Sequence, residues 1–180
     1  MFETKRIETE RLILRPLTED DRADFLDYYM DADAVAFLGG YLVPVETDAL
    51  VMFRGNCLSP LTWAIERKTD GRVIGDVHLG DLVEMYLAQI GYLVHRDARR
   101  QGYAKEAVLA VLSYVFAETS IGRVRALVLP RNKASLRLLT SCGFRQEALL
   151  RDGDYGGRVE DVLYFSAEKW EWLQAYSADC

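Results

Sequence analysis

One stretch of the sequence has residue types and spacing suited to chemistry: Val94, His95, Arg96, Asp97, Ala98, Arg99, Arg100, Gln101, Gly102, Tyr103, Ala104 and Lys105. An apolar run at 86–94 leads into an arginine-rich turn. Gly102 then opens a segment in which Ala104, Ala107, Val108, Val111, Leu112 and Val115 recur at helical spacing. A helix start leaves several backbone N–H groups unpaired and carries partial positive charge, so a glycine-led helix after a strand is the geometry of an anion site. Gly102 has no Cβ to hold a phosphate away from the backbone, and Arg99 and Arg100 add full charges. A plain surface turn with solvated arginines has the same local composition, so the rest of the chain must decide. The lysine and hydroxyl of a P-loop are missing, and a single glycine without an early first strand is not a dinucleotide fingerprint.

The elements that must position this segment follow from periodicity and breakers. Leu12 and Leu14 alternate in a short strand that Pro16 ends. Thr18 before Glu19, Asp20 and Asp21 reads as an N-cap with an acidic first turn, opening a helix with Phe25, Leu26 and Tyr29. Gly39 and Gly40 interrupt the chain before a second helix at 45–56. Strands at 62–66 and 73–79 are joined by a turn holding Asp70 and Gly71, and a third strand covers 86–94. After the helix that ends near Gly122, a strand at 124–129 meets Pro130. An amphipathic helix at 132–142 is then closed by Gly143. Strands at 144–150 and 159–166 flank a turn with Gly153, Gly156 and Gly157, and a last helix carries Trp170 and Trp172. This order implies a mixed sheet covered by helices, an α+β or α/β fold forming a single domain over 1–180.

Composition narrows the partners. With 22 Lys and Arg against 28 Asp and Glu, the net charge of −6 disfavours nucleic acid and weakly favours a cationic partner such as an amine. Cys57, Cys142 and Cys180 form no CxxC pair and no metal-ligand pattern, and read as free thiols of a reducing cytosol. No apolar segment of signal-peptide or membrane-span length is present, so a cytoplasmic protein without membrane contact is expected.

The chain resembles a known family. Gln89-Ile90-Gly91-Tyr92, leading through Val94 to Arg99, Gly102, Tyr103 and Ala104, resembles motif A of the GNAT acyl-CoA N-acyltransferases, and Asn132, Ser135 and Gly143-Phe144 resemble motif B. The opening Thr9-Glu10-Arg11-Leu12-Ile13-Leu14-Arg15-Pro16-Leu17 is similar to the RimJ/RimL-type branch, the ribosomal-protein N-terminal acetyltransferases and their relatives. So are Gly71-Arg72-Val73-Ile74-Gly75 and the closing strand with Asp161 and Tyr164.

The resemblance implies a largely antiparallel mixed sheet whose strands 86–94 and 124–129 start side by side and splay apart. The pantetheine arm of acetyl-CoA would lie in that wedge, paired to backbone near Leu93 and Val94, with Asn132 facing it. The pyrophosphate would sit on the N–H groups of Gln101, Gly102, Tyr103, Ala104 and Lys105 between Arg99 and Arg100. The implied reaction is direct attack of a neutral amine on the thioester, with a backbone N–H near Leu93 stabilising the oxyanion. Many relatives carry a tyrosine where this chain has Leu139, which leaves Ser135 to meet the departing sulfur, unless it only caps its helix. The branch usually carries a glutamate at the position of Gln89, and an amide accepts no proton at neutral pH. Glu84, Asp76 and Asp161 remain as acids acting through water. An α-amine near pKa 8 is roughly 10% neutral at pH 7, whereas a lysine-like amine is below roughly 0.1%. A site without a dedicated base therefore favours a protein N-terminus, with a polyamine or aminoglycoside as the alternative acceptor. A non-catalytic acyl-CoA-binding module is the competing class, and a monomer or homodimer is expected. His78, His95, Arg145 and Arg151 read as structural or solvated, and Tyr28, Tyr29, Phe37 and Tyr41 as core more than pocket.

Overall fold

The computed structural model describes residues 4–37 and 45–176. Tyr41, Gly39, Gly40 and Cys180 lie outside them. One eight-stranded sheet organises these residues in the order β1-β2-β3-β4-β5-β6-β8-β7. Its strands are β1 (Ile7–Glu8), β2 (Leu12–Arg15), β3 (Thr62–Arg67), β4 (Val73–Val83), β5 (Leu87–Val94), β6 (Arg123–Val128), β7 (Arg145–Asp154) and β8 (Val159–Glu168). Every neighbouring pair is antiparallel except β5 and β6, so the mixed, largely antiparallel sheet expected from the sequence is present.

The helices divide between the two faces. α1 (Arg22–Tyr29), the short α2 (Ala32–Val35) and α3 (Glu46–Leu58) precede β3, whereas α4 (Tyr103–Glu118), α5 (Lys133–Ser141) and α6 (Lys169–Tyr176) follow β5. Val108, Val111, Leu112, Val115 and Phe116 of α4 are buried with Leu139 of α5 and Trp172 of α6 against Leu12, Trp63, Val77 and Ile90. Phe25, Tyr28 and Tyr29 of α1 pack with Phe53 of α3 on the other face, against Ala64, Val73 and Leu93. Tyr28 and Tyr29 are thus core residues. Thr62, Trp63, Ala64 and Ile65 are all buried because β3 is covered on both faces, which erases the alternation seen at a half-exposed strand.

The larger departures from the boundaries read in the sequence have local reasons. β4 continues past Leu79 to Val83 because Leu79 and Gly80 still pair with Ile90 and Gln89, although Gly80 and Asp81 look like turn residues. β7 likewise reaches Asp154 across a bulge. Glu19–Asp21 form a 3-10 turn before α1, held by the Asp21 carboxylate, which accepts the Thr18 N–H at 2.8 Å and pairs with Arg15 at 2.7 Å. Arg15 also reaches Glu66 on β3, tying the first helix to the sheet.

β4 and β5 come close at one point. A Cβ placed on Gly75 would stand 2.1 Å from the Leu93 carbonyl oxygen, so only glycine fits there. Among the described residues no helix is long and apolar enough to cross a membrane. Gly75→Ala is expected to lower stability by about 1–3 kcal/mol, read as a shift of the urea midpoint, because backbone must move to admit the methyl group.

Candidate active site

Among the described residues, β5 and β6 are the neighbouring strands that pair over only part of their length. Their shared register spans Leu87–Arg123, Ala88–Val124 and Gln89–Arg125, and then stops. Beyond that point β5 stays with β4 and β6 stays with β8, so the two strands part into a wedge. His95 N–H donates to Ile74 O at 2.8 Å and the Leu93 carbonyl lies against Gly75, so both groups face β4. Alternation along the strand turns the N–H groups of Tyr92 and Val94 toward the wedge. Val94, flanked by Tyr92, therefore offers backbone to the opening. Leu93, between them, places its side chain in the α1–α3 core.

The turn after β5 is built to point α4 at the wedge. His95 is buried and its Nδ1 accepts the Asp97 N–H at 3.2 Å, which fixes the 3-10 turn at Arg96–Ala98 and makes this histidine structural. Arg99 is already engaged: Nε donates to Val94 O at 3.1 Å and Nη2 to Asp31 at 2.8 Å. Its charge is shared with a carboxylate from the segment before α2, leaving Arg100 as the exposed guanidinium beside the helix start. Gln101 Nε2 donates to Asp97 O. Gly102 has φ +84°, and a Cβ there would lie 3.2 Å from Arg11 Nη2. The glycine is therefore required by its backbone conformation, and the end of the Arg11 side chain lies beside it. Tyr103, Ala104 and Lys105 form the first turn of α4, where N–H groups have no intrahelical acceptor.

Arg11, part of the opening motif but with no role legible in the sequence, reaches this helix start. Its Nε donates to Glu106 Oε2 at 2.7 Å and its N–H to Oε1 at 2.9 Å, while Nη1 donates to Gln101 O at 2.9 Å. Thr9 Oγ1 adds a 2.6 Å bond to the same carboxylate, and the guanidinium lies 4.5 Å from the Tyr103 ring centroid. Partial burial pushes the Glu106 carboxyl up, but these donors together hold it below its ordinary value.

On the α4–α5 face, Ser135 meets Tyr92. Their oxygens are 2.6 Å apart. Asn132 caps α5, its Oδ1 accepting the Ser135 N–H at 3.1 Å, so the Ser135 hydroxyl is not needed for capping. Burial drives the Tyr92 phenol well above its ordinary pKa, against the lowering effect of Ser135, so it keeps its proton. Leu139, at the position where relatives carry tyrosine, is wholly buried in the core.

On the α1–α3 face, Gln89 Oε1 accepts from Arg125 Nε at 3.1 Å where the strands part, and Arg125 Nη1 donates to Tyr164 at 2.8 Å. Asp76 is buried, with the Tyr28 hydroxyl 3.0 Å from Oδ2 and His78 Nδ1 3.0 Å from Oδ1. Two other acids considered as bases lie elsewhere. Glu84 is exposed in the β4–β5 turn, at the closed end of the wedge, and Asp161 accepts the Asp152 N–H on β7 and β8. Arg145 pairs with Glu171 and Arg151 is exposed, so neither joins the site. Phe37 lies under the Arg131 guanidinium at 5.7 Å, and its carbonyl accepts from Tyr155.

Comparison with known proteins bears on the family and the fold. Residues 11–145 match the model of the acetyltransferase (GNAT) domain family. The chain is 30% identical over 170 residues to the uncharacterized N-acetyltransferase YoaA of Bacillus subtilis, covering 91% of this chain and 96% of that one. A GNAT-family acetyltransferase structure from Bacillus anthracis superposes with a TM-score of 0.85 at 23% identity, covering 92% and 99% of the two chains. Spermidine N-acetyltransferase from Vibrio cholerae, solved with CoA and spermine, shares the fold with a TM-score of 0.77 at 19% identity, over 92% and 99%. Ribosomal-protein-S5-alanine acetyltransferase from Vibrio fischeri does so at 0.74 and 19%, over 93% and 98%.

Glu106→Gln is expected to lower stability at pH 7 by about 1.5–3 kcal/mol, since charge-assisted bonds from Thr9 and Arg11 are lost. The sign with pH follows from a depressed carboxyl pKa. The wild-type advantage is complete above the ordinary glutamate range and fades as pH falls through the lowered value. Urea midpoints of both proteins between pH 7 and 3.5 should therefore converge on acidification.

Proposed function

Because the chain belongs to the GNAT acetyltransferase family, we propose that this acyltransferase carries an acetyl group from acetyl-CoA to a primary amine, with a protein N-terminal α-amine as the favoured acceptor. The observation that carries the proposal is the parting of β5 and β6 beside a glycine-led helix start. An extended pantetheine arm needs an unpaired strand edge, and a pyrophosphate needs free N–H groups with a cation close by. The wedge edge at Tyr92 and Val94, the first turn of α4 and Arg100 fit both needs.

Acetyl-CoA would supply an acyl carbon activated as a thioester. Gln101, Gly102, Tyr103, Ala104 and Lys105 hold its phosphates, and Arg99 positions the loop through Asp31 and Val94. The wedge-facing N–H groups of Tyr92 and Val94 are the donors available to the carbonyl oxygen as it gains charge. Ser135 gives a proton or hydrogen bond to the departing sulfur, backed by the still-protonated Tyr92 at 2.6 Å. Gln89 fastens the point of divergence through Arg125 and moves no proton. An α-amine is favoured because its ammonium form gives up a proton roughly 2.5 pK units more easily than a lysine-like amine, about 3 kcal/mol.

Thiol release from acetyl-CoA over N-terminal peptides, polyamines and aminoglycosides tests the reading. Turnover with peptides bearing a free α-amine is expected, turnover with polyamines alone would move the acceptor to small amines, and CoA binding without thiol release would make the chain a binding module. Ser135→Ala should lower kcat about 10- to 150-fold with CoA affinity unchanged, since the bond strengthens only as the thiolate forms. Arg100→Ala should weaken CoA binding by about tenfold and reduce its salt dependence in calorimetry.

A further inference from the structure

We propose that His78 is the general base of the acetyl transfer, its Nε2 taking the proton of the acceptor amine as the nitrogen bonds to the acyl carbon. The proposal rests on the reading of the wedge as the acyl-donor site. Three observations carry it. First, His78 stands directly across from Gly91, the second residue of β5 beyond the point where β6 departs. A Cβ on Gly91 would lie 2.3 Å from His78 Nε2, so the ring edge rests on the strand that borders the wedge, and glycine is what lets it do so.

Second, the ring is oriented from behind. Asp76, only 2% exposed, receives the Tyr28 hydroxyl on one oxygen and faces His78 Nδ1 with the other. A carboxylate accepts only, so Nδ1 carries the proton and the Nε2 lone pair points away from Asp76. No sequence signal separates such a histidine from a solvated one, since the Asp-x-His spacing gains meaning only from the α1 tyrosine and the β5 glycine.

Third, the two proton-handling groups lie on opposite faces of the sheet. Asp76, His78, Gln89 and Gly91 share the α1–α3 face, whereas Tyr92 and Ser135 meet on the α4–α5 face. A thioester held in the wedge between them would have its base on the side from which the amine approaches and its proton donor on the side to which the sulfur departs. The balance is closed. The N–C bond forms as the C–S bond breaks, and the amine proton passes to Nε2 and on to solvent. The sulfur takes a proton from the Ser135–Tyr92 pair, which is replenished from solvent.

The groups around the ring set its pH response. They are Asp76 on β4, uncharged Thr62 opposite on β3, Tyr28 and Tyr29 from α1, Asp48 of α3 beside Tyr29, and the Asp81–Arg125 pair further along the sheet. Burial lowers the His78 pKa but the bond to Asp76 outweighs it, so the imidazole titrates above its ordinary value. The neutral form needed for catalysis is lost as pH falls through that value.

The test is kcat and KM against pH for the wild type, His78→Gln and His78→Ala, followed by thiol release. His78→Gln should lose about 10²- to 10⁴-fold in kcat, keep the KM for acetyl-CoA and lack the acidic limb of the wild-type profile. Imidazole in the buffer should restore part of the activity of His78→Ala. A His78→Gln kcat within about threefold of wild type, with the limb in place, overturns the base alone. A wild type that releases no thiol with any amine overturns the acetyl-transfer reading and the base with it. Nitrogen-15 spectra of the imidazole give an activity-independent readout: the Nδ1–H tautomer is expected, and an Nε2–H tautomer would overturn the proposal.

Discussion

The structure turns on the failure of β5 and β6 to stay together. Two parallel strands in a sheet normally satisfy each other's backbone along their length. Here the ladder lasts three residue pairs and then ends, because β4 and β8 each keep their neighbour to the last residue. Unpaired N–H and C=O groups inside a fold are costly unless something binds them. An extended polar chain lying along the parted strand edge would pair such groups, and the surrounding elements are arranged with respect to that opening. β5 delivers the arginine turn and α4 to one end, β6 delivers α5 with Ser135 to one face, and α1 with Tyr28 closes the other.

Holding two strands apart requires support from outside the pair. Gln89 and Arg125 join across the last shared register and pass the contact on to Tyr164 of β8. At the open end, Gly75 lets β4 press against the Leu93 carbonyl, so β5 is pinned to its other neighbour. Arg15, Asp21 and Glu66 fasten the first helix to β2 and β3, fixing the height at which Tyr28 meets Asp76. These contacts tie the strands that border the opening to their other neighbours.

Much of this was legible in the sequence because it depends on local spacing. The apolar run into the arginine turn, Gly102 before a 3.6-residue period, and Asn132 and Gly143 at the two ends of α5 are neighbours along the chain, and the elements appear where those signals stand. What escaped depends on pairs far apart in sequence. Arg99 reads as a phosphate ligand in the sequence, and only the fold shows Asp31, 68 residues earlier, on its guanidinium. Ser135 reads equally as a cap or an acid, and only the fold shows Asn132 capping the helix and the Ser135 hydroxyl 2.6 Å from that of Tyr92. The β-rich run of β4 ends at Leu79 in the sequence, and only the register with β5 carries the strand further.

The contact between Arg11 and Glu106 bridges 95 positions of the chain. Closing so long a loop costs entropy on folding, and the contact joins the turn between β1 and β2 to the start of α4. A cofactor that tightens the start of α4 would also slow hydrogen exchange at the Arg11 amide, which is bonded to the same carboxylate. Occupancy of the wedge would then be readable at the opposite edge of the sheet from β7, in a segment that touches no part of the acyl group.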